Sequence, residues 1–110
     1  MNTNQTLLKI LQTVPYVETL SDVAKHLFLT QPYISKLLRE AESLNHVTLV
    51  DRVKPIKLTR GGRAMMAGLQ SLVDDEQQLF ENLRAISNHE DQPIQVGVTN
   101  SFLSEQVSML

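Results

Sequence analysis

Apolar side chains recur at spacings of three and four near the start of this chain. Leu7, Leu8, Leu11 and Val14 follow the polar Thr3 and Asn4, which predicts a first helix from about there towards Pro15. The ring of Pro15 disfavours helical geometry in the residue before it and so ends that helix. A second stripe at Leu20, Val23, Ala24 and Leu27 predicts a short helix, with Thr19 or Ser21 able to accept a bond from its first amides. Phe28 and Leu29 interrupt the pattern, and Thr30-Gln31-Pro32 restarts it. Thr30 is a good cap, and Pro32 suits a first turn, whose amides need no partner within the helix. This third helix runs to about Ser43. It turns Ile34, Leu37, Leu38 and Ala41 inward and leaves Gln31, Tyr33, Ser35, Lys36 and Arg39 for its other faces.

From Val47 the period changes. Val47-Thr48-Leu49-Val50 and Val53-Lys54-Pro55-Ile56-Lys57-Leu58 read as a two-stranded ribbon, a wing, turning near Lys54-Pro55. Thr59 caps a fourth helix, free of proline from about Arg60 to about Ser87. Met65, Leu69, Leu72, Leu79, Leu83 and Ile86 follow a 4,3 spacing on it that only Glu76 breaks, while Met66, Val73 and Phe80 repeat every seven on the adjoining edge. So wide a seam predicts a partner helix, and therefore a dimer, along Met65, Leu69, Leu72, Val73, Leu79, Phe80, Leu83 and Ile86. After the polar stretch Asn88 to Pro93, Ile94 to Thr99 alternate like a strand, and another helix begins near Asn100.

Charge sharpens the picture. The 110 residues carry a net charge of −2, with 42% hydrophobic and 20% charged residues, the composition of a folded globular chain. That net value hides an asymmetry. Residues 1–63 hold nine basic side chains against five acidic ones, a balance of +4, and residues 64–110 hold one against seven, a balance of −6. Such a division suits a chain whose front approaches phosphates while the remainder stays off them. No apolar run nears the roughly 20 residues of a membrane span, and the first residues lack the features of a signal peptide, so the expected location is the cytoplasm. The chain has no cysteine, hence no disulfide or thiolate metal site.

A short helix, a tight turn and a second helix opened by a small capping residue make a helix-turn-helix, whose second helix presents its first side chains to a DNA major groove. Gln31 suits a bidentate bond to adenine and Lys36 one to guanine, while Pro32 and Tyr33 suit a thymine methyl. Ser35 serves either base or phosphate. Arg39, Arg52, Lys54, Lys57 and Arg60 lie where phosphate contacts fix register without reading sequence, and Thr30 and Thr59 complete the candidate interface.

The stretch Val23-Ala24-Lys25-His26-Leu27-Phe28-Leu29-Thr30-Gln31-Pro32-Tyr33-Ile34-Ser35 resembles the helix-turn-helix signature of LysR-type transcriptional regulators. Leu49-Val50-Asp51-Arg52 resembles that family's entry to the wing, and Leu58-Thr59-Arg60-Gly61-Gly62 the start of its linker helix. The resemblance covers about residues 5–99. It implies a mainly α fold: a winged helix-turn-helix over residues 1–59, a linker helix for dimerisation over 60–88, and over 89–110 a linker and the incomplete start of an α/β effector-binding domain. It also implies double-stranded DNA as partner, a homodimer, a possible tetramer in full-length form, and a small-molecule effector only where the rest of that last domain is present. Departures from the family pattern are Glu18 and Thr19 for its glycine-serine, Asn45 where a glycine often ends the third helix, and Val50 for the wing phenylalanine. Asn45 is able to adopt the left-handed helix end itself.

His26, His46 and His89 stand in no metal-ligand spacing, so neither metal nor cofactor is expected. No nucleophile lies beside a base in a recognisable arrangement, and Asp74-Asp75-Glu76 reads as a solvated helix face, so no enzymatic activity is expected. Three readings follow: a DNA-binding regulator, a winged helix used for protein contacts, and a pairing module that acts by hetero-dimerising with full-length regulators. The cations at Lys36, Arg39, Arg52, Lys54 and Lys57 favour the first.

Overall fold

A computed structural model describes residues 2–89. Its elements run in the order α1 (Thr3–Thr13), a 3₁₀ turn (Val14–Tyr16), α2 (Leu20–Leu27), α3 (Gln31–Asn45), β1 (Val50–Asp51), β2 (Lys57–Leu58) and α4 (Arg60–His89). The mainly α winged helix-turn-helix expected from the sequence is what forms. The strand and helix expected from Ile94 onward lie outside the described residues. The chain divides into two compact units, Met1–Asp74 and Asp75–Leu110, with the division inside α4.

Each helix starts on a side-chain cap. The cap of α1 is Asn2, whose Oδ1 accepts from the Gln5 amide at 2.9 Å while Gln5 Oε1 accepts from the Asn2 amide at 3.2 Å. At α2 the choice between Thr19 and Ser21 falls to Thr19. Its hydroxyl accepts from the Asp22 amide at 3.1 Å, and the Asp22 carboxylate accepts from the Thr19 amide at 3.2 Å. These reciprocal bonds satisfy amides that have no partner within the helix. Thr30 Oγ1 accepts from the Tyr33 amide at 3.3 Å, and Thr59 Oγ1 from the Gly62 amide at 2.9 Å.

Two helix ends differ from expectation. α3 continues past Ser43 to Asn45, and the left-handed residue is His46 (φ 53°), not Asn45, whose side-chain amide donates instead to the Ala41 carbonyl at 2.8 Å. α2 ends in the same manner on Phe28 (φ 58°). In both cases the following amide reaches back five residues, Leu29 to the Ala24 carbonyl at 3.0 Å and Val47 to the Glu42 carbonyl at 3.2 Å. These bonds close the helix ends, although a side chain with a Cβ costs roughly 1–2 kcal/mol in this conformation.

The core of the first unit gathers Leu7, Leu8, Ile10, Leu11 and Val14 from α1 and the turn, Leu20, Val23 and Ala24 from α2, and Ile34, Leu37 and Leu38 from α3. Leu49, Val50 and Ile56 close it from the wing side, and Leu69 from α4. Met65, Met66 and Val73 pack against this cluster. Leu69, only 4% exposed, is therefore a core residue and not part of a dimer seam, and Met65 and Val73 are largely used in the same way.

The wing ribbon is shorter than its β-branched sequence predicts. Val50 pairs with Leu58 and Asp51 with Lys57, antiparallel, and Val47 to Leu49 stay outside the ladder. Their backbone is committed elsewhere: the Val47 amide bonds the end of α3, and the Leu49 amide donates to Glu42 Oε2 at 2.8 Å. Two further bonds fix the ribbon. The Ile56 amide donates to the Glu18 carbonyl before α2 at 3.0 Å, and the Thr59 amide to the Leu49 carbonyl at 3.0 Å.

Candidate nucleic-acid interface

Helical spacing sorts the outward side chains of α3 into two stripes. Gln31, Ser35 and Arg39 form one, and Pro32, Lys36 and Glu40 the other. All six line one open groove of about 550 Å³. The helix holds them there because Ile34, Leu37 and Leu38 bury the opposite face, each 7% exposed or less. The groove therefore offers an amide, a hydroxyl, an ammonium, a guanidinium and a proline ring at fixed heights along one rigid helix, the donors and apolar contacts that base edges recognise. Glu40, which sequence reasoning passed over, adds a carboxylate acceptor suited to a cytosine amino group.

A second cleft, of about 340 Å³, joins this helix to the wing. Gln31, Ser35 and Arg39 line it from α3, Arg52, Lys54 and Ile56 from the wing, and Glu18, Thr19, Leu20 and Ser21 from the start of α2. The cations expected at phosphates thus come together, except for Lys57 and Arg60, which are exposed but line neither cleft. Glu18, Thr19 and Ser21 also line this cleft, and sequence reasoning did not assign them. Their signal was available in the cap at Thr19, since a helix start directs its amides towards whatever lies in front of it.

Not every predicted contact is equally available. Arg52 binds Glu42 with both guanidinium nitrogens, Nη2 to Oε1 at 3.2 Å and Nη1 to Oε2 at 3.3 Å, and Nη1 also donates to the Val50 carbonyl at 3.3 Å. Burial works against the Glu42 charge. The amides of Leu49 and Val50 and the Arg52 guanidinium outweigh it and hold the carboxyl below the ordinary glutamate range. Lys54 lies 3.7 Å from Glu18, but both side chains are about two-thirds exposed, so solvent screens the pair. Thr59 spends both functions of its hydroxyl inside the chain, donating to the Thr48 carbonyl and accepting from Gly62. It is a cap, and its expected DNA contact is withdrawn for that reason. Thr30 accepts from Tyr33 and keeps its hydroxyl proton to donate outward.

Outside these clefts, Leu72, in the first unit, is 56% exposed. In the second unit Leu79, Phe80, Leu83 and Ile86 are exposed by 50 to 53%. Among the described residues no three potential ligands cluster to hold a metal ion, and no helix is long and apolar enough to cross a membrane.

The family model of the bacterial regulatory helix-turn-helix proteins, lysR family, matches residues 6–63. No curated protein matches the chain. Similar solved structures include full-length CbnR complexed with its target DNA, with a TM-score of 0.67 at 23% identity over 81% of this chain and 31% of that one. DarR from Vibrio fischeri, in complex with DNA, superposes with a TM-score of 0.65 at 26% identity over 80% of this chain and 30% of that one. The DNA-binding domain of BenM, in complex with catB site 1 DNA, reaches 0.67 at 17% identity over 84% of this chain and 99% of that one. This chain spans about a third of the CbnR and DarR chains it matches.

Proposed function

The chain belongs to the lysR family of bacterial regulatory helix-turn-helix proteins, and from that premise we propose that it is a transcription regulator that reads double-stranded DNA by sequence, as a homodimer, in the cytoplasm. The observation that carries this reading is the open groove in which Gln31, Pro32, Ser35, Lys36 and Arg39 stand together on the outer face of α3. Gln31 and Lys36 read base edges, Pro32 and Tyr33 contact thymine methyls, and Ser35 serves base or phosphate. Arg39, Arg52 and Lys54, with Lys57 and Arg60 beyond them, hold the sugar-phosphate backbone and set the register. Glu42 neutralises part of the Arg52 charge, so Arg52 contributes more by fixing the wing than by attracting phosphate. The complexes of CbnR, DarR and BenM with DNA support the same role for this domain.

Dimerisation rests on the exposed apolar residues of α4: Leu72 in the first unit and Leu79, Phe80, Leu83 and Ile86 in the second. Half-exposed leucines and a phenylalanine recurring along one helix match what a second copy of that helix covers. A two-fold dimer reads a palindromic or near-palindromic site, since each copy presents its α3 to one half. The test is selection of duplexes from a random pool by the wild-type chain, followed by binding of Gln31→Ala and Lys36→Ala to the selected sequence. The proposal requires a palindromic sequence whose preference each substitution relaxes at its own base position.

A further inference from the structure

Phe28 is 94% exposed, the most exposed of the large apolar side chains described, and it holds a left-handed backbone (φ 58°) that glycine or asparagine adopts more readily. Nothing in the chain's own packing calls for a phenylalanine here, because its neighbours Leu27 and Leu29 take the inward positions against the core. The ring instead lines a groove of about 400 Å³ with Lys9 and Thr6 of α1, His26 and Leu27 of α2, and Tyr33 in the first turn of α3. No acidic side chain lines this groove among the described residues, whereas Glu40 lines the groove on α3 and Glu18 the cleft at the wing.

We propose that this groove is a second DNA contact, which grips one sugar-phosphate strand beside the bases that α3 reads. The inference rests on the DNA-binding reading of α3 and extends it. Two observations choose DNA as the occupant. Tyr33 lines this groove and directly follows Pro32, which lines the groove on α3, in the first turn of that helix, so the two grooves adjoin. The polar groups around the groove also suit phosphate: the Lys9 ammonium, an imidazole donor at His26 and the Tyr33 phenol, with no carboxylate to repel it. Phe28 and Leu27 form the apolar wall on which a deoxyribose ring packs. Contacts of this kind read no bases, so the groove adds affinity and register and leaves sequence preference to α3.

The test uses the whole chain and fluorescence anisotropy on two labelled probes, the duplex selected by the wild type and a duplex of mixed sequence, over a range of salt. Phe28→Gly suits the left-handed turn and so keeps the fold, which thermal unfolding by circular dichroism verifies. It weakens binding by about fivefold on both probes and leaves their ratio unchanged. Lys9→Gln lowers the slope of log affinity against log salt by about one. If both variants bind both probes as the wild type does, while Gln31→Ala still narrows the preference for the selected duplex, the groove lies off the DNA and only this inference falls. If the wild type binds neither probe, the DNA-binding reading falls and takes the groove with it.

Discussion

The carboxylate of Glu42 on α3 meets the guanidinium of Arg52 beyond β1 at 3.2 Å, and the same carboxylate accepts from the buried Leu49 amide at 2.8 Å. One side chain thus fastens the wing to the C-terminal half of α3, the helix whose outer face lines the open groove. Glu42→Ala leaves the Leu49 amide without an acceptor and is expected to cost about 1–3 kcal/mol. Arg52→Ala removes only the more exposed partner and is expected to cost less, about 1 kcal/mol. Urea unfolding of the two variants checks the order.

The same carboxylate makes stability depend on pH. Its folded-state pKa lies below the ordinary value, so the ionised form favours folding. This contribution is present above the ordinary glutamate value of 4.5 and is lost as pH falls through the folded pKa. Asp22, lowered mainly by the Thr19 hydroxyl in the α2 cap, acts in the same direction. Acid titration of unfolding midpoints is expected to fall less steeply for Glu42→Gln than for the wild type. Parallel curves would remove Glu42 from the explanation.

Glycines in α4 are expected to separate cleanly. A Cβ on the buried Gly62 would fall on the carbonyl oxygen of Leu49, and since that atom is backbone the wing must shift to admit it. Gly62→Ala therefore destabilises, by about 1–3 kcal/mol. Gly68 has nothing within 4 Å of its virtual Cβ, so Gly68→Ala gains helix propensity and stabilises by up to about 1 kcal/mol. Thermal melts of the two variants should move in opposite directions.

Leu83→Glu places a charge among the exposed apolar residues of the second unit and touches no core residue. The dimer is expected to weaken by at least about tenfold, with a monomer fraction visible by light scattering at dilutions where the wild type stays paired. An unchanged mass would show that this part of α4 is not the pairing surface.

The regular part of this fold was legible because spacing reports burial. Ile34, Leu37 and Leu38 mark the inner face of α3, and that assignment delivers Gln31, Ser35 and Arg39 on the outer one. The left-handed end at Phe28 was not legible, since phenylalanine does not signal that conformation, and at His46 the adjoining Asn45 is an equally suited residue; in both cases the bonds that impose it run to backbone carbonyls. The Glu42–Arg52 pair was hidden because it joins positions ten apart across a change of secondary structure. Arg52 consequently reads in sequence as a cation meant for phosphate. Periodicity along α4 correctly marks Leu69 as apolar but does not tell a chain's own core from a partner's. Only the burial of Leu69 within the core cluster makes that distinction.

Whether α3 reads DNA sequence is decided by anisotropy of the wild type and Gln31→Ala on the selected duplex and its single-base variants. The wild type should lose ~1–3 kcal/mol for each altered base within the site. Gln31→Ala should lose discrimination at one base position per half-site and keep it elsewhere. Equal binding of the wild type to every duplex, or full discrimination retained by Gln31→Ala, would show that the outer face of α3 does not read the site through Gln31.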